Sequence, residues 1–310
     1  MMDSPDSMTV FDRRLVRHHR ERAAGGWDGF DFLVRETAAR LVDRLDDMTR
    51  AFPLALDLGC HGGEVGRALG GRGGIRTLIQ ADLAPAMARR AAARGAGPGL
   101  ACDEEALPFA RGSLDAVLSN LSLHWVNDLP GALIQIRHAL KPDGLFLGCL
   151  LGGATLRELR TCLADAEQEI TGGLSPRTSP LADVRDAGNL LARAGFALPT
   201  ADSDVITVHY EHPFKLFQDL RGMGESNAVL ARRRTPTRRD LILRAAHMYQ
   251  ERHAGPDGRV AATFEVITLT AWAPAPDQPQ PLAPGSGQTS LRQTLGGSLD
   301  DPQDDPTAVH

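Results

Sequence analysis

The sequence has few cysteines and no closely paired ones. Only four of its 310 residues are cysteines, and no two of them form a Cys-x-x-Cys pair. A zinc ribbon needs such pairs and a disulfide framework needs a denser cysteine spacing, so neither is indicated as the basis of the fold. We expect the four thiols to be reduced in the cytoplasm; they are Cys60, Cys102, Cys149 and Cys162.

An excess of basic charge and a long apolar run are also missing. Lysine and arginine number 34 against 39 acidic residues, giving a formal net charge of −5, whereas nucleic-acid binders normally show a basic stripe. The longest apolar run, GLFLGCLLGG at residues 144–153, is too short to span a bilayer. The opening MMDSPDSMTVFDRR lacks the apolar core of a signal peptide and does not resemble a transit peptide. We predict no nucleic-acid partner, no stable membrane insertion and a cytoplasmic location.

What the chain does have is an alternation of short apolar runs with helical stretches. Hydrophobic residues make up 42% of the chain, enough for one large core. Near-continuous apolar strands that alternate with helices favour a parallel sheet covered on both faces. We therefore predict an α/β fold with a doubly wound, mostly parallel seven-stranded sheet. Its strands are PLALDL (53–58), TLIQAD (77–82), GLACD (99–103), LDAVLSN (114–120), GLFLGCL (144–150), DVITVHY (204–210) and ATFEVITLTAWA (262–273).

Three regions are predicted along the chain. Residues 1–50 form a helical arm and cover, with apolar residues at helical spacing from Phe30 to Met48. The basic start of this arm, FDRRLVRHHRERAA, is either a solvated helix or an arm that covers a site, and we expect its two histidines to be solvated. Residues 51–273 form the α/β domain. Residues 274–310, which hold seven of the 20 prolines, form a flexible or surface-draped tail.

The loop DLGCHGGEVG, at residues 57–66, joins the first predicted strand to a helix. Glycine is expected where a ligand must approach the backbone closely. The dinucleotide fingerprint G-x-G-x-x-G is broken here, which argues against a nicotinamide dehydrogenase. Acids end the next two strands as well: Asp82 follows the loop by about 20 residues, the spacing of a ribose-binding carboxylate, and Asp103 is followed by Glu104. Together these acids predict a nucleoside site.

The stretch D-x-G-C-x-x-G resembles the first motif of class I S-adenosylmethionine-dependent methyltransferases. The resemblance implies that the acid after the first strand binds the methionine amino group, the second acid the ribose and the third the adenine. In that family glycine usually stands where this chain has His61. The imidazole would either crowd the cofactor or turn outward, and the intact remainder of the motif favours the second. The cofactor-binding residues implied are Asp57, Gly59, Cys60, His61, Gly63, Asp82, Leu83, Asp103, Glu104 and Asn120.

Longer stretches resemble a narrower family. FDRRLVRHHRERAA, SNLSLHWVNDLPGALIQIRHALKPDGLFLG and RGMGESNA are similar to the mitochondrial complex I assembly factor 5 family and its bacterial relatives. This resemblance implies that the protein substrate is the respiratory complex I subunit that carries the terminal iron–sulfur cluster, and that the protein is peripheral to the inner membrane through this substrate. It also leaves the chemistry open, because the mitochondrial member is described as an arginine hydroxylase on a methyltransferase fold. A non-catalytic assembly chaperone and a carboxyl methyltransferase, like the malonyl-carrier-protein enzyme of biotin synthesis, are the alternatives.

The candidate catalytic residues follow the fourth predicted strand. They are Asn120, His124 and Trp125. The imidazole of His124 could accept a proton, and the indole of Trp125 could line a substrate pocket. In GMGESN, Glu225 and Asn227 could either bind a guanidinium or cap a helix end. We predict no metal site.

The one segment that superficially suggests a metal is VHYEHPF. There His209 and Glu211 would share a face of an extended strand while His212 points away.

Overall fold

The apolar runs form the predicted doubly wound sheet. The computed structural model describes residues 9–278, and its seven strands lie in the order β3-β2-β1-β4-β5-β7-β6. The first five strands pair in parallel, and β7 is antiparallel to both β5 and β6. Strand order reverses between β1 and β4, the point at which such folds bind ligands. The strands are β1 Leu54–Leu58, β2 Thr77–Asp82, β3 Gly99–Ala101, β4 Leu114–Asn120, β5 Leu140–Leu151, β6 Ala197–Tyr210 and β7 Val260–Trp272.

Helices connect the strands on both faces. Those of the described residues are α1 Arg13–Ala24, α2 Phe32–Asp43, α3 Glu64–Ala68, α4 Pro85–Ala93, α5 Leu129–Ala139, α6 Arg157–Thr171, α7 Val184–Arg193, α8 Pro213–Gly222 and α9 Arg239–His253. The helical stretch predicted over residues 9–48 is two helices, because Gly25 and Gly26 interrupt it and glycine disfavours a helix interior. Asp12 caps α1 by accepting a hydrogen bond from the Leu15 amide.

The alternation of side chains along β1 divides the core between the two faces. Ala55 packs in a cluster with apolar residues of α2, α4, α6 and α9. Leu56 faces the other way, towards α5 and α7. A third, smaller cluster packs Phe11 and Val16 of the N-terminal arm against Trp125. This last contact brings the arm to the carboxyl edge of the sheet, next to the predicted site.

Strand ends differ from the predicted ones where the chain is irregular. β5 begins at Leu140 rather than at residue 144, and Asp143 adopts a φ of +61° within it. β6 begins at Ala197, seven residues earlier than predicted, because it pairs with β7 along almost its whole length. Apolar patterning does not show this pairing, since most of β6 is partly exposed.

Residues 9–275 form one compact unit, and the described residues 276–278 belong to a second one. The predicted tail from residue 279 onward lies outside the described residues, as do residues 1–8. The predicted domain boundaries therefore stay predictions. Within residues 9–278, no helix combines the length and apolar character needed to cross a membrane. All four cysteines are free and buried.

Candidate functional site

The glycine loop after β1 is packed against the chain itself. Gly59 has a φ of +74°, and a Cβ there would lie 2.1 Å from the Ser122 side chain. A Cβ on Gly62 would lie 2.5 Å from the indole of Trp27. Gly63 begins α3 with a φ of +87°. The glycines are therefore required by close packing as well as by backbone conformation, and Trp27 covers the loop from the side of the N-terminal arm.

Asp57 lies at the end of β1 without a hydrogen-bond partner. It is completely buried, and neither carboxylate oxygen has a partner among residues 9–278. Burial raises the pKa of this carboxyl well above its ordinary value, and the nearby charges of Glu64 and Asp82 raise it further. Buried polar groups are nearly always hydrogen-bonded, so an orphaned carboxylate indicates a functional position. It can accept hydrogen bonds from a donor that the described chain does not supply.

His61 does not turn outward as expected. Its backbone has a φ of +47°, and its ring is buried under Trp27, with the two ring centroids 5.3 Å apart and nearly parallel. Ring Nε2 lies 3.1 Å from the backbone carbonyls of both Asn120 and Leu121. Burial and the charge of Arg20 lower the pKa of the imidazole. A neutral ring that donates from Nε2 to these carbonyls therefore links the loop to the end of β4.

A buried arginine from α1 joins the two acids of the nucleoside site. Arg20 Nη1 lies 3.0 Å from Glu104 Oε1 and 3.5 Å from Asp82 Oδ1, while Nη2 donates to Ser122 Oγ at 2.8 Å. The Arg20 side chain is only 2% exposed. Asp82 also accepts hydrogen bonds from the amides of His61 and Ala84. The structure thus brings together the acids that end β2 and follow β3, with a cation of the chain itself between them.

The third acid of the predicted site is Glu104 rather than Asp103. Glu104 is fully buried, whereas the Asp103 side chain is 37% exposed. Arg13 lies on the same face of α1 as Arg20 and binds both carboxylates. Burial alone would raise the pKa of Glu104, but Arg20, Arg13 and the Ser122 hydroxyl outweigh it and lower the pKa to about 2. Glu104 is therefore ionised throughout the physiological range.

Sequence reasoning missed both arginines. The basic arm was interpreted as a solvated helix or a cover, and the cover interpretation agrees with the structure. Arg13, Val16 and Arg20 recur at three- and four-residue spacing, which places them on one helix face, and this periodicity was the signal available. His18 is exposed as expected, but His19 is buried, where burial and the charge of Arg22 lower its pKa to about 4.

Asn120 is occupied by structural contacts. Its amide donates to the Val34 carbonyl at 2.8 Å, and its oxygen accepts from the Cys149 thiol at 2.9 Å. The side chain therefore fixes α2 to the end of β4. Cys60 is buried, and its burial together with the charges of Asp82 and Asp57 raises the pKa of its thiol well above the ordinary value. Leu83 packs on the small cluster around Trp125, so neither residue offers a polar group to a ligand.

His124 and Trp125 converge on Glu225, which lies 100 residues further along the chain. His124 Nε2 lies 3.2 Å from Glu225 Oε2, and the Trp125 indole donates to the same oxygen at 3.0 Å. The Glu225 side chain is 16% exposed. Burial would raise its pKa, but the charge and hydrogen bonds of His124, the Trp125 indole and the charge of Arg20 lower it. The three predicted groups thus form one hydrogen-bonded unit.

These three residues line one end of a cavity of about 230 Å³. Its wall is largely apolar and is built from α2, α6, α8 and the end of β5. Asn227 also faces the cavity, but its amide donates to the Pro176 carbonyl and its oxygen accepts from the Val229 amide. The apolar lining residues are Leu33, Leu151, Leu156, Leu159, Leu163, Leu181, Phe217, Leu220, Met223 and Phe264.

The segment VHYEHPF forms the end of β6 and the start of α8. His212 is the N-cap of α8, and its Nδ1 accepts a hydrogen bond from the Lys215 amide at 3.2 Å. Across residues 9–278, no three His, Cys, Asp or Glu side chains are grouped as metal ligands would be.

The geometry agrees with the known proteins that this chain is similar to. A family model described as a methyltransferase domain matches residues 56–148, from β1 to β5. A Bacillus halodurans C-125 protein, solved as a candidate methyltransferase, superposes with a TM-score of 0.53 at 17% identity. The match covers 76% of this chain and 99% of that one. At this identity the likeness shows the fold.

Two relatives are similar in sequence over nearly the full length. The malonyl-[acyl-carrier protein] O-methyltransferase of Methylovorus sp. is 34% identical, covering 86% of this chain and 90% of that protein. The human mitochondrial arginine-hydroxylase NDUFAF5 is 43% identical over 291 residues, covering 93% of this chain and 84% of that protein. This chain belongs to the NDUFAF5 family, within the class I S-adenosylmethionine-dependent methyltransferase superfamily.

Proposed function

We propose that this chain is an S-adenosylmethionine-dependent enzyme that methylates an arginine side chain of a respiratory complex I subunit during assembly. The observation that carries the proposal is Glu225, a mostly buried carboxylate of lowered pKa at the end of an apolar cavity. A guanidinium presents a planar fork of donors that suits a carboxylate. The apolar wall of the cavity fits the methylene stem of the same side chain. The name of the human relative, an arginine hydroxylase, supports arginine as the substrate.

The residues beyond β1 fit the cofactor. The unpartnered carboxylate of Asp57 is placed to accept hydrogen bonds from an amino group. Asp82 carries acceptors for the ribose hydroxyls, and Glu104 carries acceptors for the adenine amino group. In the structure the Arg20 guanidinium lies between these two carboxylates. Under this proposal the nucleoside replaces contacts that Arg20 makes with them. When bound, the cofactor supplies a sulfonium methyl group for in-line transfer.

The chain's own groups position the acceptor and take its proton. Glu225 holds the guanidinium, and the hydrogen bonds from Trp125 and His124 fix the carboxylate that does so. A carboxylate offers about four acceptor positions, so positions remain for the substrate. Methylation of a protonated guanidinium nitrogen releases one proton. His124 is the neighbouring base for that proton, because its Nδ1 has no partner among the described residues.

Hydroxylation of the same arginine is the second candidate, because the human relative is named for that reaction. It would use the same recognition by Glu225 and would insert an oxygen atom into a C–H bond of the arginine, with dioxygen as the oxygen source and an external two-electron reductant that takes the second oxygen atom to water.

Two measurements test the proposal in sequence. Calorimetric titration of the full chain with S-adenosylmethionine, with NADH as control ligand, should show binding to S-adenosylmethionine alone. Co-expression with the complex I subunit that carries the terminal iron–sulfur cluster should then add one methyl group to an arginine, read by mass spectrometry. Glu225→Gln should lose the modification and keep the cofactor affinity.

The other outcomes discriminate between the candidates. An added oxygen atom in place of a methyl group would establish hydroxylation. No binding at millimolar cofactor would overturn the methyltransferase proposal and favour an assembly chaperone.

A carboxyl methyltransferase is favoured by a different observation. Three arginines, Arg160, Arg177 and Arg221, also line the cavity, and the Methylovorus relative acts on malonyl-carrier protein by name. Turnover with malonyl-carrier protein, and none with the complex I subunit, would establish this alternative.

A further inference from the structure

The loop between α8 and α9 concentrates positive charge in an acidic protein. Residues 232–239, RRRTPTRR, hold five arginines among eight positions, in a chain with a net charge of −5. We call these residues the arginine segment. All but Arg232 are exposed. Such a local reversal of sign attracts an oppositely charged partner.

Most of this charge is not neutralised. Arg232 pairs with Asp12 at 3.3 Å, and Arg238 pairs with Asp240. Arg233, Arg234 and Arg239 have neither a hydrogen bond nor an ion pair with any residue in the part of the chain that the structure describes. Arg233 and Arg234 are neighbours in the chain, and two cations without counter-charges repel each other. A surface of this kind gains the most from a partner that brings carboxylates.

The arginine segment is also concave and lies beside the Glu225 cavity. Arg233, Arg234 and Arg238 line a depression of about 410 Å³ together with Arg177. Arg177 lines the Glu225 cavity too. Its Nη1 donates to Thr237 in the arginine segment at 3.2 Å, while Nη2 pairs with Glu167 at 2.6 Å. One side chain therefore forms the wall between the surface and the cavity.

We propose that the arginine segment is the docking surface for an acidic segment of the protein substrate, whose reacting side chain enters the adjoining cavity. This inference rests on the proposed function, because it assumes that the cavity receives a side chain of a protein. Docking outside the cavity supplies affinity and orientation that a single side chain cannot.

Other classes of partner fit the surface less well. A nucleic acid needs an extended basic stripe, whereas carboxylates interrupt the positive charge here: Asp240 pairs with Arg238 at the start of α9, and Glu169 of α6 pairs with Arg244. A membrane surface needs apolar residues that insert between the lipids, and the arginine segment has none besides Pro236.

The test uses a fluorescein-labelled hexaglutamate peptide and the full chain. Fluorescence anisotropy should show binding that weakens as salt rises, since exposed charges are screened. Arg233→Ala with Arg234→Ala should weaken binding by about tenfold. The matched control, Arg185→Ala with Arg193→Ala, removes the same charge from exposed positions on α7 and should bind like the wild type. Thermal unfolding should be equal for both double variants.

Each contrary result has a definite meaning. Equal affinity of the wild type and the Arg233/Arg234 variant, or equal loss in both double variants, would overturn the docking surface. Tighter binding of an oligonucleotide or of phosphatidylserine vesicles than of the peptide would assign the surface to another partner. Calorimetry with S-adenosylmethionine on the same samples separates the two proposals. Failed cofactor binding with intact peptide binding would overturn only the proposed function.

Discussion

The cleft beyond the carboxyl ends of β1 and β2 has buried carboxylates at both ends, and those at the two ends differ in their hydrogen-bond and ion-pair partners. At one end Asp57 has no hydrogen-bond partner among residues 9–278. At the other, Glu104 and Asp82 share the guanidinium of Arg20, and Arg13 adds a second cation to Glu104. An unsatisfied buried group destabilises the fold, whereas a satisfied one specifies it. The difference separates carboxylates that the chain pairs with its own cations from one whose hydrogen bonds a ligand would have to supply.

The largest expected effect comes from removing the cation at the satisfied end. Arg20→Ala leaves Glu104 and Asp82 as buried charges facing each other, which should lower the free energy of unfolding by about 3–5 kcal/mol. Urea denaturation followed by circular dichroism measures it. Arg35→Ala on α2, an exposed arginine with one ion pair to Asp31, should cost less than about 1 kcal/mol. Equal costs for the two variants would show that the buried cluster is not a structural element.

The same cluster should make the free energy of unfolding of the protein fall at acidic pH. The pKa of Glu104 falls from an ordinary 4.5 to about 2 on folding. Its stabilisation is therefore complete above pH 4.5 and is lost as the pH falls through about 2. The loss amounts to about 3 kcal/mol.

Urea denaturation between pH 6 and pH 2 checks this contribution against Glu104→Gln, which cannot titrate. The difference in the free energy of unfolding between the wild type and the variant should shrink across this range. A constant difference would contradict an ionised Glu104 in the folded state.

The contribution of Asp57 to stability should depend on pH in the opposite direction. The pKa of Asp57 is raised on folding, so stability is highest below the ordinary carboxyl pKa and falls as the pH rises through the raised value. Asp57→Asn removes this loss and should stabilise the protein by about 1–2 kcal/mol at pH 8. At pH 4 the gain should be smaller.

The same substitution should weaken S-adenosylmethionine binding, measured by calorimetry, by about tenfold. Asp115→Asn, at the start of β4 and bonded to Lys141 with its side chain 16% exposed, is the matched control and should leave the affinity unchanged. A variant of Asp57 that binds the cofactor normally would show that the orphaned carboxylate is not reserved for it.

The smallest effect concerns His61, which joins the two ends. His61→Gly removes the stack on Trp27 and the hydrogen bond to the end of β4, but it relieves a backbone with a φ of +47°. The net loss of stability should be about 1 kcal/mol. Cofactor affinity should change by less than about threefold, because the ring packs against this chain's own groups. A large gain in affinity would show that the imidazole blocks the site.

The fold could be predicted because its signals are local. The near-continuous apolar runs at Asp57 and Asp82 are typical of buried strands, and β1 and β2 are buried and parallel as predicted. Gly25 and Gly26 mark the break between α1 and α2 in the sequence. The apolar pattern around them is long enough to suggest helix across the break.

The site was less accessible because its partners lie far apart in sequence. Arg20 meets residues 62, 84 and 102 positions away, and Glu225 meets Trp125 at a separation of 100. The spacing of residues along the sequence does not indicate contacts between residues so far apart. The choice between Asp103 and Glu104 was open for a related reason: the turn after β3 decides which of two adjacent carboxylates faces inward, and that turn depends on Arg13.

The long separations also determine when α1 can take its place during synthesis. The helix is synthesised before these partners of Arg20, and the most distant of them, Ser122, follows Arg20 by 102 residues. Contacts this distant form only after the closure of the intervening chain. In the nascent protein Arg20 is therefore made well before the carboxylates of Asp82 and Glu104, and it stays unpaired with them until β2 and β3 have been synthesised.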